Sequence, residues 1–455
     1  MNLRRRELML QALFGAGMWG LRSLATGIPV SLLMNPRRAL ASDAAVPGPA
    51  NTAAQYVIFS TSENGDPINA NVPGTYGVTV PSGFAPPIHP TFPTDASGGG
   101  GVNTPWSSAA IGATPFSRTV FFHHATYTVV HPDEGKVLHL MNTAPTAEMF
   151  PSMLSAQLAP QLGTIQSQPV ALGSENITFQ NRPQPSLSPV ALAEILGSPT
   201  GPLGHLQPLR DKYLDKMNAI VRSQGNGAQQ AFIDQYALSQ KQAREVSESL
   251  LSKLSSITGN DQTSQALAAV ILIQMNVAPV MTIHLGFGGD NHTDTNLAGE
   301  VAQTGTSFAT LTALMTALKA ATVPGTTTTY ADRVSFVSLN VFGRTLAINN
   351  NGTAANGRTH NQNHHCAVII GKPFQSCTVG GIEPDTSTKD WSAQAIDSNG
   401  LGVGPGDSGA VIPFTDTFNS MAKTVCAGVG VSPAFYNDNT NILSGQVVKL
   451  ALAAP

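Results

Sequence analysis

The sequence predicts an α/β protein: a central mixed or mostly parallel sheet with helices on both faces. Three observations predict it. Apolar runs at 55–60, 280–285, 334–341 and 366–371 have the length of strands and lack the alternation of a strand with one wet face, so both faces are covered. Helical periodicity lies between such runs, most clearly at 308–321. Several of the runs end in a glycine-bearing polar turn, and α/β sheets build their sites past strand carboxyl ends.

Taken in order, 55–60 (Gln55-Tyr56-Val57-Ile58-Phe59-Ser60) is the first strand after an Ala/Pro-rich lead-in at 42–54. It ends in Ser62-Glu63-Asn64-Gly65-Asp66-Pro67, which is also ordinary turn chemistry. Residues 73–115 are rich in proline and glycine and read as a loop insertion. Phe121-Phe122-His123-His124 reads as a strand end carrying two surface histidines. A strand and turn follow at 165–179, and a short helix opens at 189–196. Residues 207–258 form a helical hairpin broken at Gly225-Asn226-Gly227, with Leu209, Tyr213, Met217 and Ile220 spaced to face a core. A helix at 262–276 leads into the run at 280–285, and a last helical pattern lies at 418–425.

The chain has 455 residues, 42% hydrophobic and only 11% charged, with 43 glycines and 32 prolines. An uncharged, loop-rich surface suits an exported protein. Arg4-Arg5-Arg6-Glu7-Leu8-Met9 resembles a twin-arginine signal, and Ala39-Leu40-Ala41 is a small-x-small cleavage site. Residues 1–41 therefore read as a signal peptide and 55–455 as a single domain, with a periplasmic or secreted location and no membrane span after cleavage. Cleavage removes six of 24 basic and one of 27 acidic residues, leaving a net charge of about −8 before histidine, which disfavours nucleic acid as a partner. Cys366, Cys377 and Cys426 allow one disulfide, most simply Cys366 to Cys377, or three buried thiols.

The run at 280–285 enters Gly286-Phe287-Gly288-Gly289-Asp290-Asn291-His292, with a carboxylate and an imidazole two residues apart. The run at 334–341 ends in Phe342-Gly343-Arg344-Thr345, and a polar loop presents Gly357-Arg358-Thr359-His360 before the next strand. This order of motifs resembles the domain-of-unknown-function 1501 family, twin-arginine-exported proteins with a sulfatase-like, alkaline-phosphatase-like fold. Members carry Asp-Thr-His, Glu-Phe-Gly-Arg-Thr and Gly-Arg-Asp-His, so Val341 and Thr359 stand here where the family has carboxylates. The resemblance implies Asp66, Asp290, His292 and His360 as metal ligands from three loops, and Arg344 as a catalytic grip on an anionic oxygen, where a structural salt bridge is the other reading. It implies a divalent metal (zinc, manganese or calcium).

The His360-Asn361-Gln362-Asn363-His364-His365 run is either an exposed polar loop or a source of replacement ligands, His364 or His365 standing in for a lost carboxylate. An imidazole-rich set favours zinc, copper or nickel. Gly406-Asp407-Ser408-Gly409 resembles a serine-protease nucleophile loop, but His365 lies only about 40 residues away and the surrounding pattern is α/β, so it reads as a turn. The expected function is an exported metallohydrolase-like protein acting on a small anionic phosphate or sulfate ester. The alternative is a catalytically inactive binding or envelope-assembly protein, with an envelope protein as partner.

Overall fold

The computed structural model describes residues 54–92, 106, 116–142, 148–173, 175–196, 207–227, 253–323, 326–348, 356–405, 407–432 and 444–453, with isolated positions between 229 and 237. The expected signal peptide at 1–41, about half of the expected insertion at 73–115 and most of the expected second hairpin arm lie outside the described residues. The chain divides into two compact units, Leu187–Val277 and the pair Asn51–Ser186 with Ala278–Pro455.

The larger unit carries a seven-stranded sheet: β1 Tyr56–Ser62, β2 Thr119–His124, β3 Val170–Ala171, β4 Val280–Ile283, β5 Val334–Asn340, β6 His365–Ile370 and β7 Cys377–Val379. Its order is β7-β2-β6-β5-β1-β4-β3. Every neighbouring pair is parallel except those that β6 makes with β2 and β5. All seven residues of β1 and of β5 are buried, which is why these strands read as unbroken apolar runs.

Helices of this unit are α1 Glu134–Leu138 and α2 Phe150–Leu162. The smaller unit holds α3 Pro189–Leu196, α4 Gln207–Gln224 and α5 Gln262–Gln274. The larger unit resumes with α6 Ala298–Lys319 and α7 Thr417–Val429. On one sheet face Phe150 of α2 packs edge-on against Phe59, and Phe418 of α7 stacks on His124. On the other, Phe308 of α6 and Phe121 both pack edge-on against Trp106. Helices on both faces of a mostly parallel sheet make this an α/β fold.

Helix α6 begins ten residues before the predicted 308–321. Its first turns are polar because Glu300, Thr304 and Ser307, on one buried face, bond to a loop instead of an apolar neighbour. Helix α5 starts at Asp261, whose carboxylate accepts from the Thr263 and Ser264 amides. Helix α4 ends where Gly225 was expected to break it, but its apolar stripe is solvent-exposed: Leu209, Tyr213, Met217 and Ile220 are each more than half exposed. No described helix is long and apolar enough to cross a membrane.

All three cysteines are free. Strand β2 separates β6 from β7, and Cys366 lies beside His123 but Cys377 beside Val120, so the two are more than two strand spacings, about 10 Å, apart and beyond disulfide reach.

Candidate metal centre

Five loops meet at the carboxyl edge of the parallel strands. Glu63 to Asp66 follow β1, His131 lies past β2, Asp290 and His292 past β4, and Arg344 past β5. Because β6 is antiparallel, the segment that precedes it, with His360, arrives at the same edge. Two short antiparallel strands, Gly343–Arg344 and His360–Asn361, put Arg344 directly opposite His360.

One ligand atom from each of His131, Asp290, His292 and His360 lies within 4.8 Å of all the others, so this group could hold a metal ion. The His292 and His360 Nε2 atoms are 2.8 Å apart. His292 Nε2 is 3.2 Å from Asp290 Oδ1, and His131 Nε2 is 3.7 Å from Asp290 Oδ2. Around a cation with bonds of about 2.05 Å, a tetrahedral edge measures about 3.3 Å, and these three separations lie on either side of it.

The tautomers support the same reading. His131 Nδ1 lies 2.6 Å from the Glu63 carbonyl and His360 Nδ1 2.6 Å from the Val129 carbonyl. A carbonyl only accepts, so both Nδ1 atoms carry the proton and both Nε2 lone pairs point into the group. Two imidazole nitrogens at 2.8 Å need a proton or a cation between them.

Charge and burial tune the set. Asp290, 44% exposed, opens the site to solvent, while Arg344 behind it has no exposed side-chain surface. Partial burial pushes the Asp290 carboxyl up, but the Arg344 guanidinium, then His292 and His131, bring it below its ordinary value. Burial, with the Arg344 charge, lowers His292. Burial takes His360 down to about 4, with Arg344, His292 and His131 adding to the effect. Neutral imidazoles beside an ionised carboxylate are the protonation states a metal needs. The Phe342 ring stacks on His360 at 4.2 Å, meets His131 edge-on at 5.0 Å and lies 5.4 Å from the Arg344 guanidinium carbon.

Of the expected ligands, Asp290, His292 and His360 come together and Asp66 does not. Asp66 is fully buried, and its Oδ1 accepts from the Gly289 amide at 2.7 Å, pinning the turn before Asp290. Burial pushes its carboxyl up, opposed by His284 first and then by Ser62, Gly289 and Arg344. Arg344 touches the group but is spent internally: Nε donates to the Gly65 carbonyl, Nη2 to the Asn64 carbonyl and to Asp290 at 2.8 Å, and Nη1 faces His292 at 3.3 Å.

His131 was missed. It opens a short 3-10 turn, His131–Asp133, seven residues past β2, and a lone histidine there has no spacing signature. It is the fourth member of the group, while Val341 and Thr359 contribute no side chain to it. Val341 is buried and extends the strand pairing to the Ser62 carbonyl, and Thr359 exchanges hydrogen bonds with Thr345.

Four further histidines lie outside the group and away from the surface, against the expectation of surface or replacement-ligand roles. His123, His124, His364 and His365 are fully buried. His123 Nδ1 lies 2.9 Å from His364 Nε2, and His365 Nδ1 lies 3.3 Å from His124 Nε2. The antiparallel register sets His124 opposite His365 where β2 ends beside the start of β6, and His364, one residue before β6, reaches His123 diagonally. Asp407, Ser408 and Gly409 form an exposed turn, and His365 is committed to the interior. Comparison with protein-family models, curated proteins and solved structures finds no match to this chain.

Proposed function

We propose that this chain is an exported, metal-dependent hydrolase-like protein that holds one divalent cation at His131, Asp290, His292 and His360 and acts on a small phosphate or sulfate ester. The observation that carries the reading is the convergence of three Nε2 atoms and one carboxylate at an open sheet edge. Among zinc, manganese and calcium, three imidazoles favour zinc. Such a cation supplies Lewis acidity toward a phosphoryl or sulfuryl oxygen. The chain's own residues do the rest. Glu63 and Val129 carbonyls hold the His131 and His360 tautomers, and Arg344 keeps Asp290 ionised and aimed. The order of the Asp290-Asn291-His292, Phe342-Gly343-Arg344-Thr345 and Gly357-Arg358-Thr359-His360 motifs and the twin-arginine-like N-terminus support the wider assignment.

Elemental analysis of the purified protein tests this, beside an Asp290→Ala/His292→Ala double variant. Stoichiometric metal lost in the variant supports the site, and a panel of phosphate and sulfate esters then tests turnover. No metal after reloading with zinc, manganese and calcium sinks it. One observation favours a second reading, a binding or envelope-assembly protein that keeps the fold. The Arg344 guanidinium is buried and engaged by Gly65, Asn64, Asp290 and His292, so it does not reach out to a substrate anion. Tight metal with no ester turnover selects that reading.

A further inference from the structure

Helix α6 faces the metal loops with a buried polar ladder. Ser307 Oγ donates to the Gly286 carbonyl at 2.8 Å and Thr304 Oγ1 to the Phe287 carbonyl at 3.1 Å. Glu300, one turn earlier, is the hub. Its Oε1 accepts from Asn71 Nδ2 at 2.6 Å and Arg358 Nη2 at 3.1 Å. Its Oε2 accepts from Asn291 Nδ2 at 2.7 Å and Arg358 Nε at 2.8 Å. Neither Glu300 nor Arg358 has exposed side-chain surface. Arg358 spends its remaining donors on the Thr345, Leu346 and Ile88 carbonyls.

The partners of this carboxylate are placed with respect to the site. Asn291 stands between Asp290 and His292, and Arg358 stands two residues before His360. The Arg358 amide also donates to the Asn291 carbonyl at 3.2 Å. Gly357 passes so close to the Asn291 and His292 carbonyls that any Cβ there would overlap them. At the far end of the same loop, Asp294 accepts from the Gly299 and Glu300 amides at 2.8 and 2.7 Å. The segment from Asp290 to Glu300 is thus closed on itself and tied to the His360 segment. A buried ion pair is a poor source of stability compared with apolar packing, and the better-attested use of one is to select a single geometry.

We propose that Glu300 is a positioning residue that sets metal affinity by holding the Asp290–His292 and His360 segments in register through Asn291 and Arg358, without reaching the cation. This rests on the metal-centre reading above and names what orders that centre.

The test compares Asn291→Ala with Asn71→Ala in the full chain. Each removes one amide hydrogen bond of similar length to the same carboxylate, but only Asn291 lies in a ligand segment. Zinc affinity is read by titration calorimetry with zinc chloride, and amide exchange across 286–294 is read without metal. Asn291→Ala is expected to weaken zinc binding about 10- to 100-fold and to speed exchange, while Asn71→Ala changes neither. Equal effects of the two variants, or unchanged affinity and exchange in Asn291→Ala, overturn the proposal. If the unmodified protein takes no zinc, the metal reading fails by itself. Exchange then decides the clamp: faster in Asn291→Ala than in Asn71→Ala upholds it, and equal rates overturn it.

Discussion

Arg344 Nη2 donates to Asp290 Oδ1 at 2.8 Å, and the two side chains differ in exposure, 0% against 44%. The cation is sealed under the loops while the carboxylate reaches solvent. Replacing the guanidinium therefore disturbs the interior more than the surface. Arg344→Gln leaves the Gly65 and Asn64 carbonyls short of a donor, and about 3 kcal/mol of stability is expected to be lost. Urea unfolding measures it. Asp290, freed of its partner, returns toward its ordinary carboxyl range, which NMR titration can follow.

The buried histidines make the fold acid-sensitive. Burial holds His123 and His124 at about 4, below the usual 6.5. A histidine depressed in the folded state binds protons more readily when unfolded. Its destabilising effect is absent above pH 6.5 and grows as pH falls toward 4, reaching about 3 kcal/mol for a single group. Denaturant midpoints between pH 7.5 and 4.5 should fall steeply. Replacing His124 with Gln should flatten the slope even if the variant is less stable at neutral pH.

Glu134 acts in the opposite direction. Burial, with the Glu175 and Glu63 charges adding to it, pushes its carboxyl up to about 8. A carboxyl raised in the folded state favours folding below 4.5, and that advantage is lost as pH rises through 8. Glu134→Gln is expected to gain roughly 2 kcal/mol relative to the parent between pH 5 and pH 8, after allowance for partial solvation. Thermal melts at the two pH values check it.

Gly65 sits at φ 64°, and an added Cβ would overlap the Phe342 ring that stacks on His360. Gly65→Ala is expected to cost about 2 kcal/mol or more and to weaken zinc binding. The loss of affinity should exceed that of an alanine placed at Gly77, also at positive φ but with open space around it. Equal affinities in the two variants would show that Phe342 does not order the site.

Much of this architecture was readable from local pattern. The cores of β1, β4, β5 and β6 lie where the apolar runs stood, within a residue or two at most ends. The start of α6 was not readable because Glu300, Thr304 and Ser307 break the apolar period while facing inward. The α4 stripe failed the other way, since helical spacing records amphipathicity and not what covers the apolar side.

By itself the sequence determined the α/β class, the turns after the strands, and Asp290, His292 and Arg344 as residues at strand ends with His360 in a loop beyond one, while a shared ligand set, Asp66 included, was only what the resemblance implied. Short joints and unbroken apolar runs are local properties, and they place loop residues at strand ends without further information. Only the tertiary structure decided the rest. Strand order set β6 antiparallel between β2 and β5, bringing His131 into the group and burying His123, His124, His364 and His365 in pairs. It turned Asp66 toward the Gly289 amide and Arg344 toward main-chain carbonyls. These outcomes depend on which strands lie side by side, and distance along the chain does not encode that.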